Sequence, residues 1–193
     1  MTRLTSLTPD QLDEKGTALR EAIIGPRGDS LINDEGGLHG PFNAWLHAPA
    51  IGKNLSRLGS SLRFEMSLDR RLIELAIITV GARWESEFEW YAHSTMAADA
   101  GVAQSTIDAI GNGDTPAFTL EDERAVYDVA NQLVRDGRLD TVTYTAASEL
   151  LGETQMVELV SLCGYYTLIS FTLNAFNVPL PSGADQMWSK PTT

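Results

Sequence analysis

In the stretch ESEFEWYAHSTMA, residues 85–97, Glu85, Glu87, Glu89 and His93 fall within nine residues of a chain that holds three histidines in all. Glu89 and His93 are four residues apart, so on a helix they share a face. A carboxylate at that spacing orients an imidazole, favours its charged form, or exchanges a proton with it. Ser86 lies on the same edge, three residues before Glu89. The N-terminus of a helix also offers unpaired N–H groups and a positive dipole end to an anionic group. The types and spacing describe an acid–base pair beside a site for a carboxylate. Glu85 and Glu87, near a helix start, are expected in solvent, where they complement the dipole.

Glu89 has a second reading. Ser86-Glu87-Phe88-Glu89 fits a capping box, with Ser86 as N-cap and Glu89 reaching back to it. On either reading a helix starts at Ser86, and the preceding one stops near residues 81–84. That break matters for Glu74, fifteen residues ahead of Glu89. In one straight helix the two would be roughly 22 Å apart at 1.5 Å per residue. A turn lets Glu74 face the beginning of the next helix. Glu89 and His93 would give a metal two ligands where a zinc site needs three or four. Neither His39 nor His47 has a ligand-like neighbour, so no metal is expected.

The elements that must position these groups read as helical nearly throughout. Thr8-Pro9-Asp10-Gln11 is a capping box with proline at the first helical position, opening a helix through about Ile24. Residues 25–41, GPRGDSLINDEGGLHGP, are rich in glycine and turn formers and predict a long loop. A short helical stretch follows, with Phe42, Trp45, Leu55 and Leu58 as apolar anchors. From Ser67, the run SLDRRLIELAIITVGARW surrounds its axis with Leu72, Ile73, Leu75, Ala76, Ile77, Ile78 and Val80, which predicts a central helix. Ser105 to Asp108 reads as the cap of a short helix ending at GNGD. Thr119 to Asp122 reads as the cap of a helix through Arg135. Helices over 141–151 and from 154 to about 174 complete the set. No linker divides the chain, so residues 1–193 are expected to form one all-α domain, a single helical bundle.

Composition narrows the function. A formal charge of -12 argues against a nucleic-acid partner, because phosphate binding needs a basic surface. Cys163 is the sole cysteine, so no intramolecular disulfide and no CxxC exist. With no apolar h-region at the start, the chain reads as cytoplasmic. The uncharged run over residues 159–184 is interrupted by Ser161, Gly164, Thr167, Ser170, Thr172 and Asn174 and closed by Pro179 and Pro181. It reads as a buried core helix and not a membrane span.

Glu74, eleven residues, Ser86, two residues, Glu89, three residues, His93, followed by AADAGV, resembles the carboxymuconolactone decarboxylase and alkylhydroperoxidase D-like family. The resemblance covers roughly residues 40–110, with a family-like core to about 174. In the peroxidase branch this spacing carries glutamate, a redox CxxC pair and histidine; here Ser86 and Glu89 occupy the cysteine positions. A dithiol peroxidase needs an attacking and a resolving thiol. The resemblance therefore implies the decarboxylase branch: a cofactor-independent lyase acting on a small carboxylated lactone or ring compound. His93 would be proton donor or cationic partner to the developing enolate, with Glu89 and Glu74 setting its protonation state or carrying the proton. Ser86 and Arg83 would bind the substrate, Arg83 through its carboxylate. Trp90, Phe42, Trp45 and Tyr166 are candidates for apolar walls, as are Tyr165 and Phe171, with Tyr91 and Asn174 behind them. The family implies a homo-oligomer, a trimer or hexamer. Hydration, isomerisation or lactone opening would use the same groups, and a non-catalytic small-ligand-binding oligomer is the alternative outside enzymology.

Overall fold

The computed structural model describes residues 2–25 and 28–188. Pro26 and Arg27 of the expected loop, and residues 1 and 189–193 of the expected domain, lie outside the described residues. Within them the elements are helical: α1 Glu14–Ile24, α2 Phe42–Leu46, α3 Pro49–Phe64, α4 Arg70–Arg83, α5 Glu87–Asp99, α6 Gln104–Gly111, α7 Glu121–Asp136 and α8 Thr141–Ala175.

The centre is α4, packed against α5, α6, α7 and α8. Ten consecutive residues, Leu72 to Gly81, are buried, as the apolar run predicts. Full burial of side chains such as Leu75, Ile77 and Ile78 contributes roughly 1.5–3 kcal/mol each. The amphipathic α7 lays Val126, Val129 and Ala130 against it. Arg71 at the start of α4 ties the two helices, donating to Asp122 and Glu123 at 2.7 Å each. Glu158 of α8 accepts from the backbone N–H of Ser67 at 3.0 Å and of Leu68 at 3.2 Å, closing the approach to α4.

Helix starts differ from the capping signals in the sequence. Thr8 to Gln11 forms a capping box, but over a single 3-10 turn, Pro9–Gln11. The chain extends at Leu12 and α1 begins anew behind Asp13, whose side chain accepts from the Gly16 N–H at 2.7 Å. The run that starts at Ser67 becomes helical only at Arg70, behind an Asp69 cap. The N-cap positions of α6 and α7 are Ala103 and Leu120, one or two residues away from the hydroxyls that suggested them. Leu58 is exposed instead of anchoring α3. The expected loop holds a 3-10 turn, Asp29–Leu31, and an isolated bridge between Ile32 and Leu38.

α8 is broken at Gly152, whose φ of 72° and ψ of 172° separate two helical arms where the sequence places a boundary. α8 is long and apolar enough to cross a membrane by length and composition alone, but half of its apolar window is buried inside this structure, as in a core helix.

Candidate active site

The turn between α4 and α5 is tight. Glu85 sits at φ 45°, and the Ser86 N–H donates to Gly81 O at 2.9 Å. Gly81 admits α5 because a side chain there would press on Glu89 Cβ. From α8, Asn174 donates to Trp84 O at 2.7 Å, and Trp84 Nε1–H donates to Thr167 Oγ1 at 3.3 Å. The turn is thus fixed from outside, and α5 runs back along α4.

This return brings Glu74 and His93 together. Glu74 is fully buried on α4; its Oε2 accepts from His93 Nδ1 at 2.6 Å across 19 residues. Its other oxygen pairs with Arg70, one turn earlier. A carboxylate paired in charge with a guanidinium accepts from the imidazole, which places the proton on Nδ1 and turns Nε2 away from α4. Glu89 Oε2 stands 3.5 Å from that Nε2, too far for a good hydrogen bond, and has no other partner.

Glu89 does not close a capping box. The Ser86 hydroxyl makes no cap bond and the Glu89 side chain is directed to His93 instead. Burial pushes the Glu89 carboxyl above its ordinary range, with the nearby His93 and Arg63 charges opposing that shift. Glu89 is therefore an acid that keeps its proton more readily than a surface glutamate.

Both His93 and Glu89 open into a cavity of about 490 Å³, the size of a small-molecule site. Phe42 and Trp45 of α2, Phe88 and Met96 of α5, and Tyr165, Tyr166 and Ile169 of α8 wall it, and Leu31 and Pro41 reach it from the loop. The Tyr166 ring stands edge-on to His93 at 5.3 Å, and burial raises its phenol well above the usual range. Tyr165 donates to Leu55 O at 3.1 Å over Gly59, where any side chain would strike its hydroxyl.

Other expected site residues lie elsewhere. Arg83 is exposed, packs over Trp84 and borders a separate polar cleft with Glu85, Asn112 and Asp114. Its position at the C-terminal end of α4 carries it away from the cavity. Trp90 packs against Trp188 at 5.3 Å and does not line the cavity. Ser86 is buried with an unpartnered hydroxyl but does not line the cavity. Phe171 stacks on Trp84 and is exposed, Tyr91 is exposed, and Asn174 serves the turn. Glu85 is in solvent as expected, but Glu87 is buried and accepts from the N–H groups of Met187 and Trp188 at 2.8 Å each. Cys163 is buried, its thiol pushed up to about 12 by desolvation, and does not reach the cavity.

Sequence reasoning missed two arginines. Arg70 was legible in principle, since Arg70-x-x-x-Glu74 is a helical ion-pair spacing. Arg63, at the end of α3, lines the cavity, and no local pattern marks it.

No family model matches the sequence, and no curated protein matches it. Solved structures do. An uncharacterized peroxidase-related protein from Ralstonia eutropha JMP134, described as an alkylhydroperoxidase AhpD core, superposes with a TM-score of 0.75 at 15% identity, covering 94% of this chain and 93% of that one. An uncharacterized peroxidase-related protein from Silicibacter sp. TM1040 gives 0.72 at 12% identity, covering 94% and 92%. At such identities the likeness establishes the fold: an all-α structure of the alkylhydroperoxidase core type.

Proposed function

We propose that this chain is a cofactor-independent acid–base lyase of the decarboxylase branch, acting on a small carboxylated lactone or ring compound. The observation that carries the proposal is the polarity of His93. Nδ1 is locked by Glu74, while Nε2 faces Glu89 and an apolar cavity. An imidazole held on one side and open on the other accepts and delivers a proton at one defined atom.

In the proposed step the bond between carbon and carboxylate breaks heterolytically. Carbon dioxide leaves, and the electron pair passes into the conjugated carbonyl as an enolate. Protonated at Nε2, His93 gives its proton to the carbanionic carbon, and Glu89, whose burial makes it hold a proton more readily than a surface glutamate, returns one to Nε2. Glu89 then regains its proton from solvent. Glu74, braced by Arg70, stabilises the imidazolium that exists before the first transfer and is restored by the second. The apolar walls leave the departing carboxylate poorly solvated. A dithiol relay has no counterpart, since the sequence has one cysteine and its thiol is buried away from the cavity.

Proton NMR in deuterated buffer, with 4-carboxymuconolactone and related lactones and β-keto acids, tests the reading. The wild type should release carbon dioxide and label the product carbon, and His93→Ala should lose roughly 10²–10⁴ of that rate. Turnover undiminished in His93→Ala, or absent across the panel, overturns it.

We also propose a homo-oligomer, trimer or hexamer. Support comes from Val157, Val160, Leu168 and Phe171, which form an exposed apolar stripe along α8.

A further inference from the structure

The cavity contains a guanidinium, that of Arg63, which acts on Glu89 through space but forms no ion pair among the described residues. Arg63, in the last turn of α3, lines the cavity beside Glu89 and His93. Its Nε is sealed from solvent and has no acceptor. Among the described residues a terminal nitrogen reaches the Met96 sulfur at 3.9 Å, a weak acceptor, and the guanidinium lies over the Phe64 ring. Among the described residues no carboxylate comes within 4.0 Å of it.

Arg70 shows the contrast. It approaches the same Met96 sulfur at 3.9 Å, but its charge is matched by Glu74. Acidic side chains outnumber basic ones 26 to 14 in this chain, so the missing partner for Arg63 is not a matter of supply. A buried N–H without an acceptor is costly, whereas a carboxylate placed against a guanidinium edge accepts two N–H bonds at once. The remaining cavity wall, formed by Phe42, Trp45, Phe88 and Tyr166, suits a flat apolar body.

We infer that Arg63 is the anion clamp of this cavity, and that its ligand is a small, flat carboxylate whose clamped carboxylate does not react. The inference rests on the acid–base reading only for that last clause. Pairing with a guanidinium stabilises a carboxylate's charge and so opposes its loss as carbon dioxide. Applied to decarboxylation, a substrate carries a second carboxylate, directed at His93 and away from Arg63. Arg63 is thus a binding and specificity residue, separate from the proton-transfer groups.

The test uses benzoate as probe and benzamide as its uncharged counterpart, with binding measured by calorimetry and ligand-observed NMR. Wild type should bind benzoate at least about tenfold more tightly than benzamide, and Arg63→Gln should abolish that preference while leaving benzamide binding unchanged. Arg63→Lys should retain part of it, since a point charge replaces the fork. Circular dichroism and thermal melts of each variant check folding. Should Arg63→Gln fail to fold, the wild-type preference and the Arg63→Lys loss decide the matter. Equal affinity of the wild type for the two probes, no benzoate binding at millimolar concentration, or undiminished preference in Arg63→Gln overturns the clamp. His93→Ala separates the two readings. Benzoate binding that depends on Arg63, in a protein whose turnover ignores His93, supports the clamp and defeats the acid–base reading. Turnover that needs His93, with benzoate preference indifferent to Arg63, does the reverse.

Discussion

Oε2 of Glu74 lies 2.6 Å from Nδ1 of His93, and the Glu74 carboxylate divides between that imidazole and Arg70. A fully buried carboxylate is tolerated in the middle of α4 because one oxygen accepts from His93 and the other is paired with the Arg70 charge. Glu74→Ala leaves the Arg70 charge and the Nδ1–H without their acceptor. Removing one partner of a buried pair costs about 3–5 kcal/mol, and the lower end applies because the Arg70 side chain is 40% exposed and screened by water. Urea unfolding should show this loss, with a smaller one for Glu74→Gln, which keeps an acceptor oxygen. A Glu74→Ala protein as stable as wild type would show that the pair is not what holds the carboxylate in place.

Glu89 sets an opposite pH trend from that of a salt-bridged carboxylate. Burial raises its folded-state pKa. Below the unfolded value, about pH 4.3, the carboxyl is protonated in both states and the fold is not penalised. As pH rises, the unfolded chain ionises first, so stability is lost until pH passes the folded value and the penalty levels off. Glu89→Gln cannot ionise. Its melting temperature relative to wild type should therefore climb from the acid end and then plateau. A flat difference across the titration would mean that Glu89 ionises as a solvent-exposed glutamate does.

The sequence carried the site's backbone better than its walls. Glu74, Glu89 and His93 were legible because helix periodicity and a break near residue 84 limit where those groups can go, and the break is where α4 ends. Trp90 was misplaced although it adjoins Glu89, since one residue on a helix is a rotation of about 100° and delivers it to Trp188. Capping signals misled repeatedly. Ser86-x-x-Glu89 has the right letters, but the Ser86 N–H that a capping box would offer the glutamate is taken by Gly81 O in the turn. Arg63 had no signal at all, because its place beside Met96 of α5 depends on how α3 packs on α8, a long-range choice that short spacing does not encode.

The turn that unites α4 and α5 stores strain at Glu85, a non-glycine residue at φ 45°. Such a conformation costs of order 1 kcal/mol for a side chain with a Cβ and little for glycine. Glu85→Gly should stabilise by about 0.5–1 kcal/mol after the unfolded-state entropy is counted, and Glu85→Val should destabilise. Denaturant midpoints of the two variants check the ordering. If Glu85→Gly were the weaker protein, the exposed glutamate would have to contribute more than its backbone costs.

Glu87 anchors a segment far along the chain. Its two oxygens accept from the N–H groups of Met187 and Trp188, while Trp188 Nε1–H donates to Gly111 O at 3.0 Å and the ring packs on Trp90. Glu87→Ala strips both acceptors and should cost about 1–3 kcal/mol. Trp188 should then move toward solvent and shift its emission to the red. Subtracting spectra of the matched Trp188→Phe proteins isolates that tryptophan. Unchanged emission and melting would show that the indole contacts hold the segment without the carboxylate.

The exposed stripe of α8 gives the last prediction. Val157, Val160, Leu168 and Phe171 recur at helical spacing on the outer face, and Gly164, Thr167 and Ala175 line a shallow apolar groove with Leu168 and Phe171. A second copy of the chain would bury this face, and small residues there permit close approach of helices. Light scattering coupled to size exclusion should give the wild type the mass of a trimer or hexamer. Leu168→Glu combined with Phe171→Glu places charges at the stripe's centre and should yield single chains with an unaltered circular dichroism spectrum. Because the cavity is built within one chain, binding of benzoate should survive the dissociation. A monomeric wild type, or a double variant still fully assembled, would remove α8 from the interface.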